Sequence, residues 1–323
     1  MRPYTLGVDI GGTKIAAGII TKNGKLRKRV VLPTLADEGF NVSINQVYLA
    51  IETLLKTGDV KKREIEGVGV CAPGPLNPKK GIVHNPPNLK GWREVHLQKL
   101  VEKRFKLKTR IENDANAAGM AEVIWGAAKG YKEVFYVTVS TGIGTAVIID
   151  GKIYHGKNGM AGEGGHVTID YKAANAVCAC GKIGCIEALA SGPGTVRMLR
   201  RKLETHPKKT RIIDLAGGSA AKVTMHTIDE AAKCGDELAI ETIKEEGRLL
   251  GIWLGGMINV LDPEIIVIGG GVSQIGRLLF DEIRKNACFH TINVFAKGTP
   301  IVPAKLKNDV GIYGAASLFV EQK

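Results

Sequence analysis

The sequence predicts an α/β protein of two related domains. Three observations carry that expectation. Residues 4–32, and again the residues from 133 onward, read as short strands joined by tight turns, with a glycine-bearing turn between the first two strands of each run. Each run leads into alternating helical and apolar strand patterns, the grammar of βαβ units. At 323 residues the chain is too long for one small core and comfortable for two. Two such domains leave a cleft between them, a common place for a ligand.

The elements follow in order. Residues 4–10 form an apolar strand, and 15–21 and 26–32 two more, joined at Asn23-Gly24, a strong two-residue hairpin signal. A helix is expected at 42–57 and an apolar strand at Gly67–Cys71. The stretch from Ala72 to Gly91, rich in Pro and Asn, is long for a loop, and long ordered loops are often functional. A helix at 94–105 and a strand at 109–112 lead to NDANAAGMAE, a helix start with Asn or Asp at its cap. The grammar then repeats: strand 133–140, the turn TGIGT, strand 145–150, an Asp150-Gly151 turn and a third short strand. Helices are expected at 194–204, 227–234 and 236–261, a strand at 264–268, a helix at 276–287, a strand at 299–303 and a last helix at 311–321. Gly247, Gly251 and Gly255 recur every four residues and mark a face for close helix packing.

Composition narrows the function. Net charge is +13, but the lysines and arginines are scattered, and no basic helix interleaved with aromatics appears. A solvated surface with mild attraction for anionic substrates is expected, with no specific nucleic-acid partner. The longest apolar run, Leu249–Leu261, is too short to span a bilayer, and the N-terminus carries no apolar signal segment. Three of the six cysteines crowd into eight residues and three are isolated, unlike a disulfide framework, so a reducing cytoplasm is expected.

The chemistry concentrates in a few segments. The turns Asp9–Thr13 and Ser140–Thr145 are neither a Walker A loop nor GxGxxG before a helix. Both offer backbone N–H groups unobstructed by Cβ, and threonine hydroxyls, which suits a phosphate. Asp9 becomes sensible beside a phosphate if Mg²⁺ lies between them. The bland alternative is a pair of ordinary hairpins. Gly269–Gly271, after a strand and before a helix, offers backbone for a nucleotide to lie against, a weak signal alone. Asp114 is either an N-cap or a base that takes a proton from an attacking hydroxyl. Asn88, Asn113, Glu163, His166 and Glu187 are further groups able to read hydroxyls. His166, Cys178, Cys180 and Cys185 form a complete tetrahedral donor set for Zn²⁺, with no position left for water. That zinc either staples a loop or fixes His166, so that its other ring nitrogen orients a substrate hydroxyl.

Taken together these segments resemble the ROK sugar kinases, most of all the bacterial-type glucokinases. The motifs are DIGGTK at 9–14, APGPLN at 72–77, NPPNLKGW at 85–92 and ENDANAA at 112–118. They continue with VSTGIGTAVIIDGKIYHGKNGMAGEGGH at 139–166, CACGKIGCIE at 178–187 and IGGGV at 268–272. The resemblance implies the two-domain sugar kinase/actin-like ATPase (ribonuclease-H-like) α/β fold with an interdomain cleft. The domains it implies are 1–117 plus 305–323, and 118–304. It implies phosphorylation of glucose at the 6-hydroxyl by ATP, with Asp114 as catalytic base and Asn88, Asn113, Asp114, Glu163, His166 and Glu187 on the sugar. Asp9, Gly11, Gly12, Thr13 and Lys14, with Thr141, Gly142, Gly144 and Thr145, would hold the ATP phosphates, Mg²⁺ lying near Asp9. Gly269, Gly270 and Gly271 would lie at the adenosine. His166, Cys178, Cys180 and Cys185 would bind structural Zn²⁺. A homodimer or homotetramer is also implied. Some family members are repressors with a DNA-binding domain ahead of the first strand; this chain opens on that strand, and a kinase is expected instead. Kinases for N-acetylmannosamine, mannose or fructose, polyphosphate as donor, and a non-catalytic sugar sensor remain the alternatives.

Overall fold

The computed structural model describes residues 2–205 and 209–320. In chain order its main elements begin with β1 (Tyr4–Ile10), β2 (Lys14–Thr21), β3 (Leu26–Pro33), α1 (Phe40–Thr57) and β4 (Ile65–Ala72). Then come β5 (Leu76–Asn77), β6 (Ile82–Val83), α2 (Leu97–Phe105), β7 (Thr109–Asn113) and α3 (Asp114–Trp125). The next are β8 (Val134–Val139), β9 (Ile143–Ile149), β10 (Lys152–Ile153), α4 (Ile186–Ala190), α5 (Gly192–Thr205) and α6 (Arg211–Leu215). The last are α7 (Met225–Lys233), α8 (Glu237–Leu261), β11 (Ile265–Gly269), α9 (Arg277–His290), β12 (Ile301–Pro303) and α10 (Val310–Ser317).

Each strand and helix expected from the sequence has a counterpart. Those not expected are the small β5–β6 hairpin inside the Ala72–Gly91 stretch and the five-residue helices α4 and α6, too short to show a period. The expected last helix, 311–321, stops at Ser317, where Leu318 and Phe319 turn their N–H groups to Ala315 and Ala316 and tighten the final turn. Residue 321 lies outside the described residues. The Asn23-Gly24 turn also differs. Asn23 keeps a negative φ and only Gly24 is left-handed, at 82°, so Lys22, Asn23 and Gly24 form a three-residue loop. Asp150-Gly151 does form the two-residue turn, with φ of 51° and 71°.

The chain divides into two compact units: Met1–Tyr136, Ala146–Gly162 and Ala304–Lys323, and Val137–Thr145 with Glu163–Pro303. The division expected after residue 117 falls inside α3. The structure keeps α3 whole in the first unit because it packs along α10, with Gly314 against Ala117.

In the first unit the sheet order is β3-β2-β1-β4-β7, antiparallel through the hairpins and parallel from β1 to β4 to β7. The two-residue period of β1 sorts its side chains. Leu6, Val8 and Ile10 join a core with Ile44, Val47, Ile51 and Leu54 of α1 and Val101 and Phe105 of α2. Gly7, on the opposite face, meets α10, where an added Cβ would collide with the Ile312 carbonyl; Gly69 of β4 stands in the same relation to Ala315. Glu122 of α3 is fully buried. Its carboxylate accepts the backbone N–H groups of Ala127 at 2.6 Å, Lys305 at 3.1 Å and Leu306 at 2.8 Å, fixing the segment that leads into α10.

A second sheet runs in the order β10-β9-β8-β11-β12, and the unit boundary passes through β8 and β9. Strand for strand this repeats the first sheet: two hairpins followed by two crossover strands. The expected repeat of architecture is therefore present. In the second unit α8 packs on α9 along its glycine row: a Cβ at Gly247, Gly251 or Gly255 would press on Glu282, Asn286 or His290. No helix among the described residues is long and apolar enough to cross a membrane.

Gly251 and Gly256, neighbours in turn on α8, make a controlled pair. At Gly251 a Cβ would lie 2.6 Å from Asn286 Cβ and 2.7 Å from the Ile283 carbonyl, whereas nothing lies within 4 Å at Gly256. Gly251→Ala is expected to destabilise by about 1–3 kcal/mol through overpacking. Gly256→Ala is expected to stabilise by up to about 1 kcal/mol through helix propensity. Urea denaturation of both variants measures the contrast.

Candidate active site

In the first unit, β1 ends at Asp9 and turns through Gly11-Gly12-Thr13 into Lys14 of β2. Gly11 N–H closes the turn on the Lys14 carbonyl at 2.9 Å, and Thr34 holds it from the side through the Gly11 and Thr13 carbonyls. Thr13 and Lys14 are exposed. Asn88 abuts the turn: a Cβ at Gly12 would come within 3.1 Å of it. Asn88 is set there by its neighbours. Leu89 and Trp92 are buried, and the Trp92 indole donates to Ser43 Oγ at 2.7 Å.

The β7–α3 junction sets aside the capping reading of Asp114. Asn113 is the cap: its Oδ1 accepts from Ala115 N at 2.9 Å and Asn116 N at 3.2 Å. Asp114 is the first helical residue, exposed, with Oδ1 2.8 Å from Ala115 N. A carboxylate there sits in the favourable field of the helix N-terminus. Its charge reaches Asp9. Burial first, and then Asp114, push the Asp9 carboxyl up to about 7, with Lys14 pulling the other way. Carboxylate oxygens short of positive charge beside a glycine turn fit Mg²⁺, a hard cation that takes oxygen ligands.

In the second unit, the β8–β9 turn is closed by Ser140 N–H on the Gly142 carbonyl at 2.9 Å. Thr141 is exposed and Gly142 and Gly144 half-buried. Thr145 is different. It is buried in β9, and its hydroxyl accepts from Gly164 N at 3.0 Å, so it braces the Gly164–His166 turn. Glu187, at the start of α4, accepts Ile143 N–H through Oε2 at 2.9 Å, and its Oε1 lies 3.5 Å from Cys178 Sγ. It thereby joins the glycine turn to the cysteine loop. After β11, Gly270 is left-handed at φ 87°, pressed on the Val139 carbonyl, while nothing lies within 4 Å of a Cβ at Gly271.

The four expected metal ligands come together: one donor atom each from His166, Cys178, Cys180 and Cys185, all within 4.8 Å of one another. The chain reaches this geometry through a tight hairpin, with Val177 opposite Ile183, Cys178 N–H on the Lys182 carbonyl, and left-handed Gly181 and Gly184. Cys180 and Cys185 Sγ are 3.8 Å apart, and Cys178 Sγ is 3.4 Å from His166 Nδ1. A tetrahedron with Zn–S bonds of about 2.3 Å has S–S edges of about 3.8 Å and S–N edges of about 3.6 Å. The donor set fits zinc in type and number, and these two edges match in length. Nδ1 faces the sulfurs, and His166 Nε2 lies 3.9 Å from Glu163 Oε2. Without metal, burial pushes the Cys178 thiol up to about 12, while the Lys182 backbone N–H favours the Cys180 thiolate. Metal binding must therefore displace a proton from Cys178.

Glu112 and His155, absent from the sequence expectations, belong to the Asp114 cluster: Glu112 is buried and its Oε2 lies 2.8 Å from His155 Nε2. The available signal was an acid placed next to the Asn113-Asp114 pair at the end of a short strand.

Asp9 makes a pH prediction. Its folded-state value lies above that of an unfolded chain, so the folded protein holds a proton the unfolded chain has released. This contribution is complete below about pH 4 and is lost as pH rises to 7. Asp9→Asn should therefore stabilise the magnesium-free protein at pH 8, by up to about 4 kcal/mol for a shift of some three units. The gain should vanish towards pH 4, as read from denaturation midpoints across that range.

The ROK family profile matches residues 5–322. Over 320 residues the chain is 32% identical to a glucokinase of Halalkalibacterium halodurans, covering 99% of this chain and 96% of that protein. Over 317 residues it is 33% identical to a glucokinase of Thermotoga maritima, covering 98% and 97%. Among solved structures, the ROK family glucokinase of Streptomyces griseus in complex with glucose and AMPPNP superposes with a TM-score of 0.84 at 33% identity, covering 98% of each chain. The α/β architecture is that of the actin-like ATPase fold of these kinases. On the family match and the full-length likeness, the chain belongs to the ROK family.

Proposed function

We propose that this chain is an ATP-dependent hexose kinase that transfers the γ-phosphoryl group to the 6-hydroxyl of glucose. The observation that carries the reading is Asp114, exposed at the first turn of α3, with its charge felt by Asp9 at the start of the glycine turn. A hydroxyl attacking phosphorus must give up its proton, and an ionised carboxylate at the hydroxyl takes it. Asn113 spends its Oδ1 on the helix and keeps its Nδ2 for a sugar hydroxyl. Asn88, Glu163, His166 and Glu187 take the other hydroxyls. The glucose and AMPPNP bound to the Streptomyces griseus relative support both substrates.

On the donor side, the backbone of Gly11, Gly12, Thr13, Thr141, Gly142 and Gly144, with Lys14, receives the phosphates. Gly269–Gly271 receives the adenosine, with Gly271 facing open space. Thr145 acts here through Gly164, as a brace for the turn that carries His166. Mg²⁺, when bound at Asp9, supplies the positive charge that the phosphates require. Zn²⁺, when bound, holds His166 by Nδ1. That leaves Nε2, beside Glu163, to bond a sugar hydroxyl. Catalysis is then chiefly positioning and electrostatics.

A coupled ADP-release assay across glucose, mannose, fructose and N-acetylmannosamine tests the reading, with direct sugar-phosphate detection when polyphosphate replaces ATP. Glucose is expected to give the highest kcat/KM with ATP. Asp114→Asn is expected to lower kcat by about 10²–10⁴-fold with glucose binding retained by calorimetry; wild-type turnover in that variant would remove the base from its role. Cys180→Ser is expected to lose zinc, measured by mass spectrometry, and to weaken glucose binding in parallel. Loss of zinc with unchanged glucose affinity would reduce the metal to a staple of the loop.

A further inference from the structure

Glu112 is the penultimate residue of β7, one before the Asn113 cap, and is buried, only 4% exposed. A carboxylate in that position is costly unless its oxygens are engaged. Both are. Oε1 accepts the Asn113 backbone N–H at 2.9 Å and Asn116 Nδ2 at 3.1 Å. Oε2 lies 2.8 Å from His155 Nε2. The first pair of bonds grips residues on either side of Asp114. The third reaches across to the segment after β10, all within the first unit.

That segment leaves β10 with the Tyr154 N–H on the Val147 carbonyl at 2.8 Å. Its left-handed residues, Gly156, Gly159 and Gly162, are glycines. Its larger apolar side chains, Tyr154 and Met160, are about half exposed. His155 is its polar anchor, and Ala161 N–H turns back on the His155 carbonyl at 3.1 Å. The groups acting on the imidazole are Glu112 and Lys79: the Glu112 bond, the larger influence, raises the His155 value, while burial and Lys79 lower it. Lys157 lines the same cavity of about 240 Å³, together with Asn77 and Asn158. The pair is thus a short bond between the buried Glu112 carboxyl group and the imidazole of a glycine-rich loop, a bond that favours the protonated ring.

We propose that Glu112 and His155 form a latch that holds the 154–162 segment to the β7–α3 junction and so fixes the aim of Asp114. Both are positioning residues; neither is placed on the substrate. The latch rests on the kinase reading, with Asp114 as base. It adds to that reading a hold on the Asn113-Asp114 turn from the strand side and a tie from that turn to the glycine-rich segment after β10.

The test uses the full zinc- and magnesium-loaded chain with Glu112→Gln, His155→Gln and the double variant. Each single change is expected to lower kcat with glucose at least about 10-fold while the glucose Kd and the KM for ATP move less than about two-fold. The double variant is expected to be no slower than the slower single, since both break one bond. In nitrogen-15 spectra the His155 imidazole should titrate at lower pH in Glu112→Gln than in wild type. His155 lies on a loop and can be changed with Glu112 intact, so the test stands on His155→Gln and His155→Ala if Glu112→Gln does not fold. Folded variants with wild-type kcat, or losses that multiply in the double variant, overturn the latch. A wild type that phosphorylates no hexose overturns the kinase reading itself.

Discussion

The first unit depends on a close approach of backbone to backbone. Helix α10 lies on β1 and β4 with no side chain between them at Gly7 and Gly69. Dispersion and excluded water then act over short distances, and even one added methyl group forces the layers apart. Everything at the Asp114 end follows from that spacing. Gly311 of α10 leaves room for Asp9, and Gly314 lets α3 come down on α10 at Ala117. With α3 fixed, its N-terminal turn carries Asn113 and Asp114 to one place, and Glu122 at its other end holds the chain that leads into α10.

The second unit solves a different problem. Its polar groups are held by a short cysteine hairpin instead of by apolar layers. Three thiols and an imidazole within 4.8 Å give little cohesion as neutral groups, and Cys178 resists ionisation where it is. Glu187 adds a negative charge beside Cys178, which also resists a thiolate. A divalent ion reverses the sign of that balance, because it favours each deprotonated ligand. A metal held there would couple loop order and His166 orientation through the same atoms.

Much of the architecture was legible in the sequence because period and punctuation are local. The two-residue alternation of β1, the Asp150-Gly151 turn and the Asn113 cap each involve residues close together in the chain. The metal set was legible because ligand type and spacing carry their own chemistry. Partner choice at long range was not. Glu112 and His155 are 43 residues apart, and Glu122 meets Lys305 from 183 residues away. No local pattern encodes such a pairing. Thr145 read as a phosphate ligand by its place in a Thr-Gly turn, yet the strand period turns it inward to Gly164. The domain division was misplaced for a related reason: α3 starts where a strand ends, but what holds it is a helix from the far end of the chain.

That late helix has a consequence for how the protein is made. The glycine-lined face of β1 and β4 is complete once β7 has been synthesised, but its cover, α10, spans Val310–Ser317. At about 5–20 residues per second, a ribosome needs roughly 10–40 s to travel between them. Until then Ala16 and Ile20 lack Ile312 and Ala316, and Cys71 has Ala117 of α3 but not Ala315. Before α10 is made, the first unit is a sheet with one side only partly covered, by α3. Small residues on the waiting face keep the apolar surface shown to chaperones and to other chains low, so the glycines that permit close packing also protect the chain before it is packed.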